Sequence, residues 1–167
     1  MKKYTFKEIL DWHEKVFPEA TLEGQKKKLE EEFLELFDAT EEGVEDKVFE
    51  EFADCIIVAV GMSRFSNTAS MLALSAINEL AVKPFKDQED GIAMSCAFLK
   101  EIEKAVDKKM AENVTRTWAK KGGKYKHCDQ DEEPKEEKSC VKVIRASSIE
   151  EALDEIRKVM QRDLGDK

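Results

Sequence analysis

The chain has 167 residues, 39% of them charged, with a formal net charge of -9 and only seven glycines and three prolines. That length suits one domain with a real core, and the composition favours helices over strands and loops. The acidic balance, with no basic stripe, excludes a nucleic-acid polymer held along its phosphate backbone.

Thr5-Phe6-Lys7-Glu8 is a capping-box pattern and predicts a first helix to Phe17, with Pro18 ending it. Thr21 caps a second helix, whose Leu29, Phe33, Leu36 and Phe37 repeat at helical spacing until Gly43 breaks it. A third helix is expected from Glu45 to about Phe65. It is apolar nearly all round between Val48 and Val60, the pattern of a helix at the centre of a bundle. Asn67-Thr68 caps a shorter helix to Val82, closed by Pro84, and Lys86 to Gly91 is a polar loop. A long helix then runs from Ile92 to about Trp118, ending before Gly122-Gly123. The fold class read from these elements is all-α, an antiparallel helical bundle over residues 1–128.

Residues 129–138 (DQDEEPKEEK) carry charge and Pro without apolar anchors and read as a linker. Residues 139–167 read as a small strand-helix appendage: a strand at Val141–Arg145, then a capping box at Ser148-Ile149-Glu150-Glu151 starting a last helix. The Met1-Lys2-Lys3 start is not followed by an apolar stretch, and no apolar run reaches membrane-spanning length. Cys55, Cys96, Cys128 and Cys140 form no CxxC, and His127 beside Cys128 lacks further zinc ligands. The expectation is a reduced, cytoplasmic protein with no membrane partner.

Two pairs of acids carry the chemistry. Glu32 and Glu35, then Glu51 and Asp54, are each three residues apart, so each pair shares one helix face, separated by about 60°. The turn at Gly43 reverses the chain and brings the two acidic faces together. Carboxylates entering a core are costly unless a cation or donors satisfy them, and hard divalent cations take oxygen ligands. Glu30, Glu31, Glu41 and Glu42 read as a solvated face. Glu51 and Asp54 carry the stronger signal, because their helix is apolar and offers no local basic partner. A di-iron carboxylate bundle is excluded, since neither His13 nor His127 has the Glu-x-x-His spacing it needs.

A second group lies late in the long helix. Lys109, Asn113 and Arg116 stand at i, i+4 and i+7 on one face, and two cations flanking an amide suit phosphate oxygens and sugar hydroxyls. A solvated face with Trp118 packed as a cap is the plainer reading of that segment. Trp12 and His13 are candidates to stack on a base, although a tryptophan here is more often core. Lys26-Lys27-Lys28 reads as a solvated basic patch.

Together, EExxE, then ExxD after fifteen residues, then KMxxNxxRxW (Lys109 to Trp118) resemble the MazG-like all-α nucleoside triphosphate pyrophosphohydrolases. The nearest branch is that of the phage and bacterial dATP/dGTP pyrophosphohydrolase-like proteins, whose lead-in is similar to Trp12, Phe17, Thr21 and Gly24. The resemblance covers about Trp12 to Arg64 and Glu101 to Trp118. The segment from Phe65 to Phe98 is longer than it implies, and the tail after Gly123 has no counterpart in it.

The resemblance implies Mg²⁺-dependent (or Mn²⁺-dependent) hydrolysis of a nucleoside triphosphate, most of all a purine dNTP, to monophosphate and pyrophosphate. It makes Glu32, Glu35, Glu51 and Asp54 the catalytic metal ligands and Lys109, Asn113 and Arg116 the substrate contacts. Other substrates of the superfamily (dUTP, phosphoribosyl-ATP) and a non-enzymatic, cation-dependent helical binding module are the alternatives. A bundle this small leaves apolar surface to cover, so a homo-oligomer, dimer or tetramer, is expected.

Overall fold

The first helix of the computed structural model opens on a complete capping box. The Glu8 N–H donates to the Thr5 hydroxyl at 3.2 Å, and the Thr5 N–H donates back to the Glu8 carboxylate at 2.9 Å. The structure describes residues 2–121, 124–127 and 154. Within them the helices are α1 (Phe6–Val16), α2 (Leu22–Glu42), α3 (Glu45–Met62), α4 (Asn67–Val82) and α5 (Gly91–Asn113). A single 3₁₀ turn, Lys83–Phe85, follows α4, and a two-stranded hairpin, β1 (Trp118–Lys121) and β2 (Lys124–His127), follows α5. This is an all-α helical bundle with a minor hairpin.

Each boundary has a local cause. The Thr21 hydroxyl accepts from the Gly24 N–H at 3.1 Å and starts α2. Gly43 ends it at φ 71°, its N–H donating to the Ala39 carbonyl at 3.1 Å. A β-carbon is strained in this left-handed conformation. Gly43→Ala is therefore expected to lower stability by about 1 kcal/mol, read as an earlier urea midpoint with an unchanged slope. α4 is capped by the Ser66 hydroxyl accepting from the Ala69 N–H at 3.1 Å, one residue ahead of the Asn67-Thr68 cap expected. α3 stops at Met62, three residues short of Phe65, where the Ser63 hydroxyl donates to the Val60 carbonyl at 2.7 Å.

As its composition predicts, α3 lies at the centre and packs on α1, α2, α4 and α5. Its Phe52, Cys55, Ala59 and Met62 join Leu29, Phe33 and Leu36 of α2 in the main core, with Ala73, Ile77 and Leu80 of α4 and Ile102 of α5. Ile57 and Val60, on another face, pack with Ile9 of α1 and with Val106 and Met110 of α5. Each fully buried Phe or Leu is worth about 1.5–3 kcal/mol against its exposed state. The N-terminal segment is tied to α5 by the Tyr4 N–H donating to the Asp107 carboxylate at 2.7 Å.

The end of α5 corrects the expected helix to Trp118. The helix closes at Asn113, where the Trp118 indole N–H donates to the Asn113 carbonyl at 3.2 Å and the Thr115 hydroxyl donates to the Glu112 carbonyl at 2.7 Å. The indole thus takes the carbonyl that the next helical hydrogen bond would have used, while the Arg116 N–H still reaches the Glu112 carbonyl at 3.2 Å. Trp118 instead starts β1, antiparallel to β2 with Lys121 opposite Lys124. Gly122-Gly123 thus lies in sequence between two strands rather than after a helix. The expected linker 129–138 and the strand-helix appendage 139–167 lie outside the described residues, apart from Asp154, which is helical.

Candidate functional site

The two-residue turn between α2 and α3 lays the acidic faces against each other. Glu32 and Glu35 of α2 and Glu51 of α3 each offer a carboxylate oxygen, and the three oxygens lie within 4.8 Å of one another. Glu32 is buried, Glu51 half-buried and Glu35 exposed. Two full charges at that separation repel by roughly 3 kcal/mol at an effective dielectric constant of about 20. Three ionised carboxylates so placed call for a cation or for a proton.

Two lysines supply part of that charge. Lys28, one turn ahead of Glu32 on α2, forms an ion pair with it. Lys109 of α5 reaches Asp54 at 2.5 Å, in a pair whose side chains are both about four-fifths buried. The expectation of no basic partner concerned their own helix alone; α5 supplies one to Asp54, while Lys47, one turn ahead of Glu51 on α3, pairs with Glu42. Among the described residues Glu51 Oε2 is buried and has no hydrogen-bond partner.

The protonation states follow from this geometry. Burial, then Asp54 and Glu35 nearby, pushes the Glu51 carboxyl up to about 7. Burial also raises Glu32 and Asp54, partly offset by Lys28 and Lys109 respectively. Burial works against both ammonium groups, but the acids around them outweigh it and raise both lysines. Cys55, fully buried in α3 among the same acids, is held as a neutral thiol, first by burial.

Asn113 is buried at the end of α5, one turn beyond Lys109. Arg116 lies outside the helix, not at i+7 of one helical face as expected. Its guanidinium still donates to the Asn113 side-chain oxygen at 3.4 Å and pairs with Glu112 at 3.6 Å. Trp12 stands in an aromatic cluster, edge-on to Phe17 at 5.3 Å and to Trp118 at 6.0 Å between ring centroids. Its indole N–H is buried without a hydrogen-bond partner among the described residues.

Arg64 and Gln25 were not expected near the site, and His13, a stacking candidate, is buried between them. Arg64 donates to the Phe17 carbonyl at 2.7 Å and approaches His13 Nδ1 at 3.4 Å, while His13 Nε2 meets the Gln25 side-chain oxygen at 3.0 Å. A guanidinium can only donate, so Nδ1 accepts and Nε2 carries the proton. Burial, with Arg64 beside it, lowers His13 to about 4 and keeps it neutral despite Gln25. This clasp ties the end of α1 to α2 and to the end of α3. Of the unexpected partners, only Lys28 left a local trace, its i,i+4 spacing to Glu32.

No family model, curated protein or solved structure matches the chain. The donor set itself is all carboxylate oxygen, which suits a hard divalent cation. Glu51, whose Oε2 is buried without a hydrogen-bond partner among the described residues, is the acid with most to gain from such an ion. Glu32, Glu35 and Glu51 can together hold a metal ion.

Proposed function

We propose that the protein is a Mg²⁺-dependent pyrophosphohydrolase that cleaves a nucleoside triphosphate, a purine dNTP first, to monophosphate and pyrophosphate. The observation that carries this reading is the convergence of three carboxylates, one of which, Glu51, has a buried oxygen, Oε2, without a hydrogen-bond partner among the described residues. The motif resemblance adds the substrate side. Glu32, Glu35 and Glu51 would hold Mg²⁺, with Asp54 as the fourth acid of the set. The ion, when bound, screens the triphosphate and activates water for attack at phosphorus.

The chain's own groups do the rest. Lys109, fixed on Asp54, places a cation at the edge of the acids, and Arg116 and Asn113 form a donor pair one turn further on. Trp12, with Phe17 and Trp118, offers aromatic surface to a base. Assembly of copies belongs to the same reading. Met71 and Ile92 are 71% and 86% exposed, apolar surface that a second copy would cover. Light scattering behind size exclusion is expected to give a mass above that of one chain.

Pyrophosphate release is the test, measured for every common NTP and dNTP, for dUTP and for phosphoribosyl-ATP, with and without Mg²⁺. Turnover of at least one triphosphate that disappears with chelator is expected, with purine dNTPs leading. A rise in melting temperature with Mg²⁺ but no turnover across the panel would replace the enzyme with a cation-dependent binding module. No response of either kind would sink both.

A further inference from the structure

Among the described residues Glu32 and Asp54 each hold an ammonium group, whereas Glu51 Oε2 has no hydrogen-bond partner. The two ion pairs are built differently. Lys109 is largely buried between α5 and α3, so packing keeps it on Asp54. Lys28 arrives from the rim of α2 with 47% of its side chain exposed, against 5% for Glu32. A four-carbon stem on a rim can change its partner without opening the core.

Glu32 belongs to the carboxylate trio, so a divalent ion taking that trio competes with Lys28 for the same acid. The incoming charge also repels an ammonium already in contact with Glu32. Of the two lysines, the exposed one is free to yield. Once released it remains one helical turn from Glu32, within reach of whatever anion the metal binds.

We propose that Lys28 is the resident counter-cation of the metal-free protein, displaced from Glu32 by the divalent ion and then turned onto the phosphate groups that the ion holds. This rests on the pyrophosphohydrolase reading. It makes Lys28 a positioning residue with two opposite effects: it weakens metal binding when no phosphate is present and strengthens phosphate binding once metal is bound.

Mn²⁺ binding without nucleotide, followed by electron paramagnetic resonance, tests the first effect in wild type, Lys28→Met, Lys28→Arg and the exposed control Lys27→Met. Lys28→Met is expected to bind Mn²⁺ roughly three- to tenfold tighter, with Lys28→Arg and Lys27→Met close to wild type. Titration of pyrophosphate into the Mn²⁺-loaded proteins tests the second, with Lys28→Met binding it several-fold more weakly. Mn²⁺ affinity that is unchanged or lower in Lys28→Met overturns the role of Lys28, as does unaltered pyrophosphate affinity. If wild type binds Mn²⁺ through Glu51 while Lys28→Met behaves like it, only the Lys28 inference falls. If wild type binds no Mn²⁺, the metal-centre reading falls with it.

Discussion

Glu51→Gln is expected to reduce Mg²⁺-dependent pyrophosphate release by about 100-fold or more while making the metal-free protein more stable. The two effects have one origin. Glu51 Oε2 is buried without a hydrogen-bond partner among the described residues, so its negative charge is useful only when a cation is present. The amide keeps the shape and removes the charge. In the metal-free native state Glu51 keeps its proton up to about pH 7, whereas an ordinary glutamate releases it near 4.5. Between those values the native state binds the extra proton, so stability falls as pH rises through the window and the full cost is present above pH 7. Because the side chain is only half-buried, solvent screening limits that cost to about 1–2 kcal/mol. Thermal unfolding from pH 5 to 8 in chelator should show the decline in wild type and a flatter profile in Glu51→Gln, and Mg²⁺ should restore wild type alone. A variant with full turnover would show that Glu51 is not a ligand, even if the activity itself is confirmed.

Gly61→Ala is expected to destabilise the bundle strongly through a single methyl. A β-carbon at this position of α3 would lie 2.5 Å from His13 Cδ2 and 2.6 Å from Nε2. The imidazole cannot easily retreat, because Gln25 and Arg64 engage its two nitrogens and Phe17 packs edge-on at 5.1 Å. Overpacking of this kind costs about 2–3 kcal/mol, a fall in melting temperature of roughly 5–10 °C for a chain of this size. The cause is separable by a double-mutant cycle. His13→Ala makes room for the methyl, so the pair should be less destabilised than the sum of the singles by about 1 kcal/mol or more. Strict additivity would mean that the clash with His13 is not what the methyl costs.

Much of this architecture was legible because its causes are local. Thr5 with Glu8, Thr21 with Gly24, and Gly43 act within one turn of themselves, so spacing alone exposes them. The convergence of Glu32, Glu35 and Glu51 was legible for the same reason, since a two-residue turn leaves adjacent helices little choice but to lie antiparallel. Lys109 beside Asp54 was not, because nothing in the run Val48–Val60 records which helix will pack over it. Arg64 and His13 are equally silent, their partners being a backbone carbonyl and residues on other elements. The hairpin after α5 was misread because Trp118 and Gly122-Gly123 fit a helix end as well as a strand and its turn. The Trp118 indole bond to the Asn113 carbonyl, which spacing does not record, distinguishes the two.

The Gly43 turn has a kinetic consequence. Glu32, Glu35, Glu51 and Asp54 come together by closing a short stretch of chain, at small entropic cost, whereas Lys109 must be delivered from a distant helix. In any species where α2 and α3 have paired before α5 docks, the acids are gathered without the ammonium that quiets Asp54. Self-repulsion is then greatest on the way to the native state and smaller once it is reached. Refolding should therefore accelerate with added salt by more than equilibrium stability rises, and stopped-flow traces across ionic strength would show both chevron limbs moving up, the folding limb the more.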